Sequence, residues 1–141
     1  MDFKRIGNKV IIRIDCGEEI IQTVKQICTQ LHIKAGTITG IGATNKATIG
    51  LYDTKTKTYH AKELTGDHEI APLLGNITTM NNDVYLHLHV NLCNKDHVSL
   101  GGHLTAARVS VTFEGIIDVF DDNVGRVFDE NTGLNLLKLN K

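Results

Sequence analysis

The apolar positions follow two different periods along the chain. VIIRI, residues 10 to 14, is a run of β-branched residues that predicts a first strand. Beyond it, Ile20, Ile21, Val24, Ile27, Cys28 and Leu31 recur at steps of three and four, with Gln22, Lys25, Gln26 and Thr29 between them. That spacing gathers the apolar residues on one face of a helix. Asp15-Cys16-Gly17-Glu18 has the D-x-x-E spacing of a capping box and predicts the helix start. From Ala35 onward the period becomes two, which is the signature of half-buried strands. Strands are expected near 36–42, 47–52, 58–64, 69–78, 84–93, 97–101, 106–120 and 125–128, with turns at 54–57, 81–83, 94–96 and 121–123. The expected class is α+β: a mostly antiparallel sheet carrying one main amphipathic helix. Pro72 is the only proline and no segment is of low complexity, so residues 1–141 are read as a single domain. The tail from Glu130, with LNLLKLN, is apolar for a chain end and is expected to dock on the body or on a neighbouring subunit.

The alternation carries chemistry in VYLHLHVNLC. Val84, Leu86, Leu88, Val90 and Leu92 point to one side, and Tyr85, His87, His89, Asn91 and Cys93 to the other. The aliphatic side is the core. His87 and His89 then share the opposite face, with Cα atoms roughly 7 Å apart, a span that two imidazoles can close around one ion. Past the turn the chain returns as HVSLGGHL, and a hairpin brings His103 alongside as a third nitrogen. Three neutral imidazoles on one sheet face suit Zn²⁺ or another divalent transition metal. The bland alternative is an ordinary solvated strand face, which alternate polar residues usually form. Gly101-Gly102 is read as a place where the backbone aims His103 or lets a ligand approach. His97 falls in the turn, and His32, His60 and His68 are scattered as surface or cap residues. Glu69 precedes a strand and is either a solvated strand-end acid or a carboxylate at the wall of the histidine site.

Other chemistries find less in the chain. Gly40-Ile41-Gly42 is a G-x-G, but the following KATIGLYD reads as a strand, whereas a dinucleotide site needs a helix there. The glycines are expected to permit a sharp turn or a close contact. No G-x-S-x-G nucleophile motif occurs. Fifteen Lys and Arg against 16 Asp and Glu give a formal net charge of -1, so no global field favours nucleic acid or anionic membrane. Cys16, Cys28 and Cys93 are odd in number and form no C-x-x-C pair, as reduced thiols do in a cytosol. The N-terminal MDFKRIGNKV has no apolar signal-like run and no stretch approaches membrane-spanning length, so a cytoplasmic protein is expected.

GTITGIGATNKATIGLYD, GDHEIAPLLGNI, LHLHVNL and GGHL, in that order across nearly the whole chain, resemble the plants-and-prokaryotes-conserved (PPC) domain in its stand-alone prokaryotic form. The resemblance implies a sheet-and-helix fold, assembly as a homotrimer, and a metal on the histidines of the H-L-H and G-G-H-L motifs, here His87, His89 and His103. It also implies a role in DNA binding and regulation, since in plants the domain follows AT-hooks that enter the DNA minor groove. Two departures limit this. The Arg-Gly-Arg-Pro hook core is absent, and Arg5, Arg13, Arg108 and Arg126 stand alone. Where plant relatives carry Gly-Arg-x-Glu, this chain has Gly66-Asp67-His68-Glu69. Three readings follow: a metal-binding trimer with a DNA-linked regulatory role; a metal-dependent enzyme or small-ligand-binding protein, with Glu69 as general base; or a module in which the ion only stabilises the assembly.

Overall fold

Eight strands and one helix account for most of the chain in the computed structural model, which describes residues 1–139. In chain order they are β1 (Asp2–Ile6), β2 (Lys9–Asp15), α1 (Ile20–Gln30), β3 (Gly36–Asp53), β4 (Thr58–Met80), β5 (Asp83–Cys93), β6 (Ser99–Val119), β7 (Gly125–Asp129) and β8 (Leu134–Lys138). They form one sheet in the order β1-β2-β6-β3-β4-β7-β8, and β5 pairs with both β4 and β6. The pairings β3–β4, β4–β5, β5–β6 and β6–β3 therefore close into a ring, although the Thr58–His68 part of β4 is paired with β3 alone. All pairings between strands are antiparallel apart from a parallel bridge, Thr79 with Gly125, that attaches the β7–β8 hairpin to β4.

Three of the strands are far longer than the pattern suggests. The stretches expected at 36–42 and 47–52 are one strand, as are those at 58–64 and 69–78, and those at 97–101 and 106–120. Irregularities that look like breaks in the sequence are bulges in the fold. The β3 register shifts between Gly40 and Gly42 and again between Thr44 and Lys46, and the strand continues through both. At the second shift Thr44 is fully buried, with its hydroxyl 3.0 Å from the Lys46 carbonyl and 2.6 Å from the Arg108 carbonyl, which satisfies backbone groups the bulge would orphan. Pro72, lacking an N–H, sits where the β4–β5 register shifts between Ile70 and Leu73. β1, absent from the sequence expectation, folds back on β2 through a turn that Gly7 makes with φ +60°.

The G-x-G belongs to packing. Gly40 lies opposite Gly115, and a Cβ on Gly40 would run into the ring of Phe113, which is fully buried between them. The two glycines make room for the largest side chain of the core.

The helix starts later than the D-x-x-E spacing implies. Glu18 turns back to accept from the Asp15 N–H at 2.8 Å, closing a turn that Gly17 permits with φ +90°. Glu19 is the residue that caps α1: its carboxylate accepts from the Gln22 N–H at 2.8 Å. Its other oxygen accepts from the Ala107 N–H at 2.9 Å, tying the helix start to β6. The helix buries Ile20, Thr23, Val24, Ile27 and Cys28, and burial pushes the Cys28 thiol up to about 12, which makes it inert.

Candidate metal centre

Core and candidate site occupy opposite faces of the same strands. Leu88, Val90 and Leu92 are buried, as alternation requires, and His87 and His89 emerge on the other side. The β5–β6 hairpin pairs His89 directly with His103, so the third imidazole arrives by strand register. One outer row runs across six strand positions through consecutive pairings: Ile11, Ile116, Thr39, Leu74, His89, His103. The histidines stand at the end of a stripe in which Ile11, Ile116 and Leu74 are exposed by 41%, 41% and 53%.

The three imidazoles form a triangle. Their ring centroids lie 5.2, 5.2 and 5.5 Å apart, and one nitrogen from each falls within 4.8 Å of the others. His87 Nε2 and His89 Nε2 are 3.3 Å apart. Two nitrogens each about 2.0–2.1 Å from one tetrahedral ion would lie roughly 3.3–3.4 Å from each other. A shared proton between neutral rings gives the same separation, but the third ring in the cluster has no such reason to converge. His87 and His103 are half-buried, and burial is the first cause that holds both below the ordinary imidazole range. Neighbouring basic groups add to it: His103, His89 and then the Arg126 guanidinium for His87, and His89 for His103. A neutral ring is the form that ligates.

The triangle opens into a cleft of about 1090 Å³. Gly50 lies opposite His103, and the Tyr59 ring covers it where a side chain would stand, meeting His103 edge-on at 6.1 Å. Gly102 is required for another reason: a Cβ there would sit 2.8 Å from the Gly50 carbonyl oxygen, so β3 and β6 could not approach. The opposite wall is the β7–β8 hairpin. Arg126 anchors it, donating from Nε to the Thr78 hydroxyl (2.8 Å), from one terminal nitrogen to the Asn135 carbonyl (2.7 Å) and from the other to the Asn76 side-chain oxygen (2.6 Å). Its guanidinium also lies over the Tyr85 ring, 4.6 Å from the centroid. The tail expected to dock somewhere supplies β8 to this wall, through Leu134, Leu136 and Leu137.

Other residues singled out from the sequence lie elsewhere. His97 is exposed in the 94–98 turn with φ 60°, and His32 is exposed just past the helix with φ 53°. His68 is held at a strand irregularity by the Gly66 carbonyl, 2.7 Å from its Nδ1. His60 is exposed too, but at the cleft, together with Lys62. Cys93 faces Ser99, Sγ to Oγ 2.9 Å, outside the histidine group. Glu69 is exposed on β4 between Ala43 and Cys93 and does not line the cleft. Tyr85 was marked by its place on the histidine side of β5. Tyr59, Lys62 and Arg126 carried no sequence signal, because long-range pairing and a single bridge bring them in.

A family model, the Plants and Prokaryotes Conserved domain, matches residues 1–121. No curated protein matches the chain. Among solved structures, a candidate DNA-binding protein from Bacteroides thetaiotaomicron superposes with a TM-score of 0.95 at 35% identity, over 97% of this chain and 96% of that one. A metal-containing protein from Archaeoglobus fulgidus is similar at 33% identity and a TM-score of 0.87, with 99% of each chain covered. A plant- and prokaryote-conserved protein from Pyrococcus horikoshii is 28% identical, with a TM-score of 0.87 over 99% of this chain and 96% of that one. No helix among the described residues is long and apolar enough to cross a membrane. With its fold, its motifs and its match over residues 1–121, the chain belongs to the Plants and Prokaryotes Conserved domain family.

Proposed function

We propose that this chain is a metal-binding member of the family, in which His87, His89 and His103 hold Zn²⁺ or another divalent transition metal, and that it assembles as a homotrimer. One observation carries the metal: three imidazole nitrogens converge within 4.8 Å on a strand face that has no packing need for them. Neutral nitrogen donors suit a borderline ion, and three of them leave a coordination position open toward the cleft. When bound, the ion would supply Lewis acidity at that position. The metal-containing description of the Archaeoglobus relative supports the same reading. The trimer rests on the family resemblance, and the exposed Ile11, Ile41, Leu74 and Ile116 give it an apolar face to bury.

A regulatory role on DNA is suggested by the description of the Bacteroides neighbour. The formal charge of -1 and the lack of a hook give it little electrostatic support, so duplex binding by this chain should be weak and lost at moderate salt. The cleft favours a second reading, a small-ligand-binding protein or metal-dependent enzyme acting at the same ion. Glu69 is a distant general base for it. Its partner Cys93 is four residues along β5 from His89, roughly 13 Å.

Metal analysis of protein purified without added ions, paired with its mass in solution, tests the proposal. The expected result is about one ion per chain in a particle three times the 15.5 kDa chain mass. His89→Ala should weaken metal binding by more than the 10–100-fold typical of losing an outer partner, and leave the fold standing. A wild type that takes up no Zn²⁺, Ni²⁺ or Co²⁺ at neutral pH would overturn the metal. A monomer at micromolar concentration would overturn the trimer.

A further inference from the structure

The charge balance of the cleft is one-sided. No Asp or Glu lines it, whereas Lys62 and Arg126 do, and neither cation has a carboxylate within 4.0 Å among the described residues. Three neutral imidazoles cancel none of the charge of a divalent ion. A loaded cleft therefore carries the ion's two positive charges and two more from side chains, with nothing of opposite sign on its walls. In a concave site of reduced dielectric such a field selects anions.

The hydrogen-bonding capacity narrows the anion. Of the five N–H groups of Arg126, three are spent on Thr78, Asn135 and Asn76. Of the tyrosines at the cleft, Tyr59 shares a hydroxyl bond with Thr105 at 2.7 Å, and Tyr85 accepts from the Asn135 side-chain amide at 3.4 Å. No helix N-terminus faces the site, so a phosphate with three oxygens to satisfy would find no cradle of helix N–H groups there. A carboxylate needs fewer, and one of its oxygens can take the open position on the metal.

The rest of the wall is apolar, and its source is telling. Leu134, Leu136 and Leu137 line the cleft while remaining 37%, 42% and 42% exposed, together with Leu51 and Leu100 from β3 and β6. Leu134, Leu136 and Leu137 lie outside the core cluster, so they leave apolar area available to something else. These three sit on the hairpin beyond residue 121, where the family match ends, and Arg126 fastens that hairpin to the body.

We propose that the histidine cleft binds a small organic carboxylate, its headgroup on the metal and its hydrocarbon body on the β7–β8 hairpin, so that the hairpin sets which acids are accepted. This rests on the metal reading above. Typical ligand cavities hold about 300–1,000 Å³, so the cleft has room for a chain of several carbons.

The test uses the Co²⁺-loaded protein, whose metal content is measured first, and titrates it with octanoate, acetate and octanamide by calorimetry and by the visible spectrum of the ion. Octanoate should bind and perturb the Co²⁺ spectrum. Acetate should be at least about tenfold weaker, since burial of two methylenes is worth about that factor. Octanamide, the same chain without charge, should be weaker again. Leu134→Ser with Leu136→Ser should weaken octanoate to near the acetate value, leaving acetate affinity and metal content unchanged. These side chains lie outside the core, and Lys62→Gln, fully on the surface, gives a second reading: it should weaken both acids several-fold and the amide not at all. Metal-loaded protein that binds octanamide as tightly as octanoate, or whose octanoate affinity ignores the hairpin substitutions, would overturn the inference and leave the metal site standing. Protein that takes up no cobalt would instead overturn the metal reading, and this inference with it.

Discussion

The closed ring of strands and the C-terminal hairpin are built on different terms. In the ring, Phe113, Leu73, Leu92 and Ile117 are wholly buried, each strand pairs with at least two neighbours, and α1 packs its apolar face into the same core. In the hairpin, Val127 and Phe128 are 50% and 56% exposed, and the attachment is one parallel bridge plus a few polar contacts. The ring is held by the hydrophobic effect and can carry a rigid triangle of imidazoles. The hairpin is held by hydrogen bonds centred on Arg126 and can change without endangering the ring. A site assembled from both gains a fixed chemical end and an adaptable wall.

The largest effect comes from breaking the ring. Phe113→Ala removes the ring that fills the space left by Gly40 and Gly115, and substitutions of this type typically cost about 3–5 kcal/mol. Denaturant unfolding should show that loss as one cooperative transition. The hairpin should come apart with it, because its anchors Thr78 and Asn76 lie on β4. A hairpin that stayed protected in hydrogen exchange after the ring unfolded would show that the dependence runs the other way.

A middling effect comes from breaking the hairpin. Arg126→Met keeps the length of the side chain and removes its three hydrogen bonds, leaving the buried Thr78 hydroxyl with the Tyr85 carbonyl at 3.1 Å. Bonds from a charged donor are worth about 1.5–3 kcal/mol where buried, and Arg126 is partly exposed, so docking should weaken by about 1–2 kcal/mol. Limited proteolysis within 122–139 should quicken by roughly an order of magnitude, while the ring's denaturation midpoint barely moves. Equal damage to ring and hairpin would dissolve the distinction.

The two regions also differed in how far they could be read from the sequence. The face carrying His87 and His89 was visible because strand alternation is strict, and a short hairpin turn fixes where His103 returns. The helix face was visible for the same kind of reason, although Glu19 rather than Asp15 caps it. Bulges were not visible: the stretch from Gly42 through Thr44 looks like a strand end, Pro72 falls inside the strand expected at 69–78, and only the neighbouring strands show where the register shifts and pairing resumes. Arg126 was hidden more deeply. Its partners are 48 and 50 residues away in sequence, so neither its role nor the cleft wall it secures has a local signature.

The smallest effect is one of pH, and it separates the regions by where each titrates. In metal-free protein, His87 and His103 are held below the ordinary imidazole value near 6.5, first by burial. The unfolded chain therefore takes up protons that the folded ring refuses. Stability should rise with pH through this range, and be lost as pH falls below about 6.5. The hairpin turn behaves otherwise. The Asp129 carboxyl is held below its ordinary 3.8 by the Thr132 hydroxyl and then by the Thr132 N–H, so its contribution is intact above that value and fades only in stronger acid. Between pH 7.5 and 5.5 the chelator-treated wild type should lose more stability than a His87→Gln, His103→Gln double variant, with urea midpoints as the measure. Protease susceptibility of the hairpin turn should stay level across the same window. Identical pH slopes for the two proteins would mean that the imidazoles protonate as freely in the fold as outside it, contrary to their half-buried position.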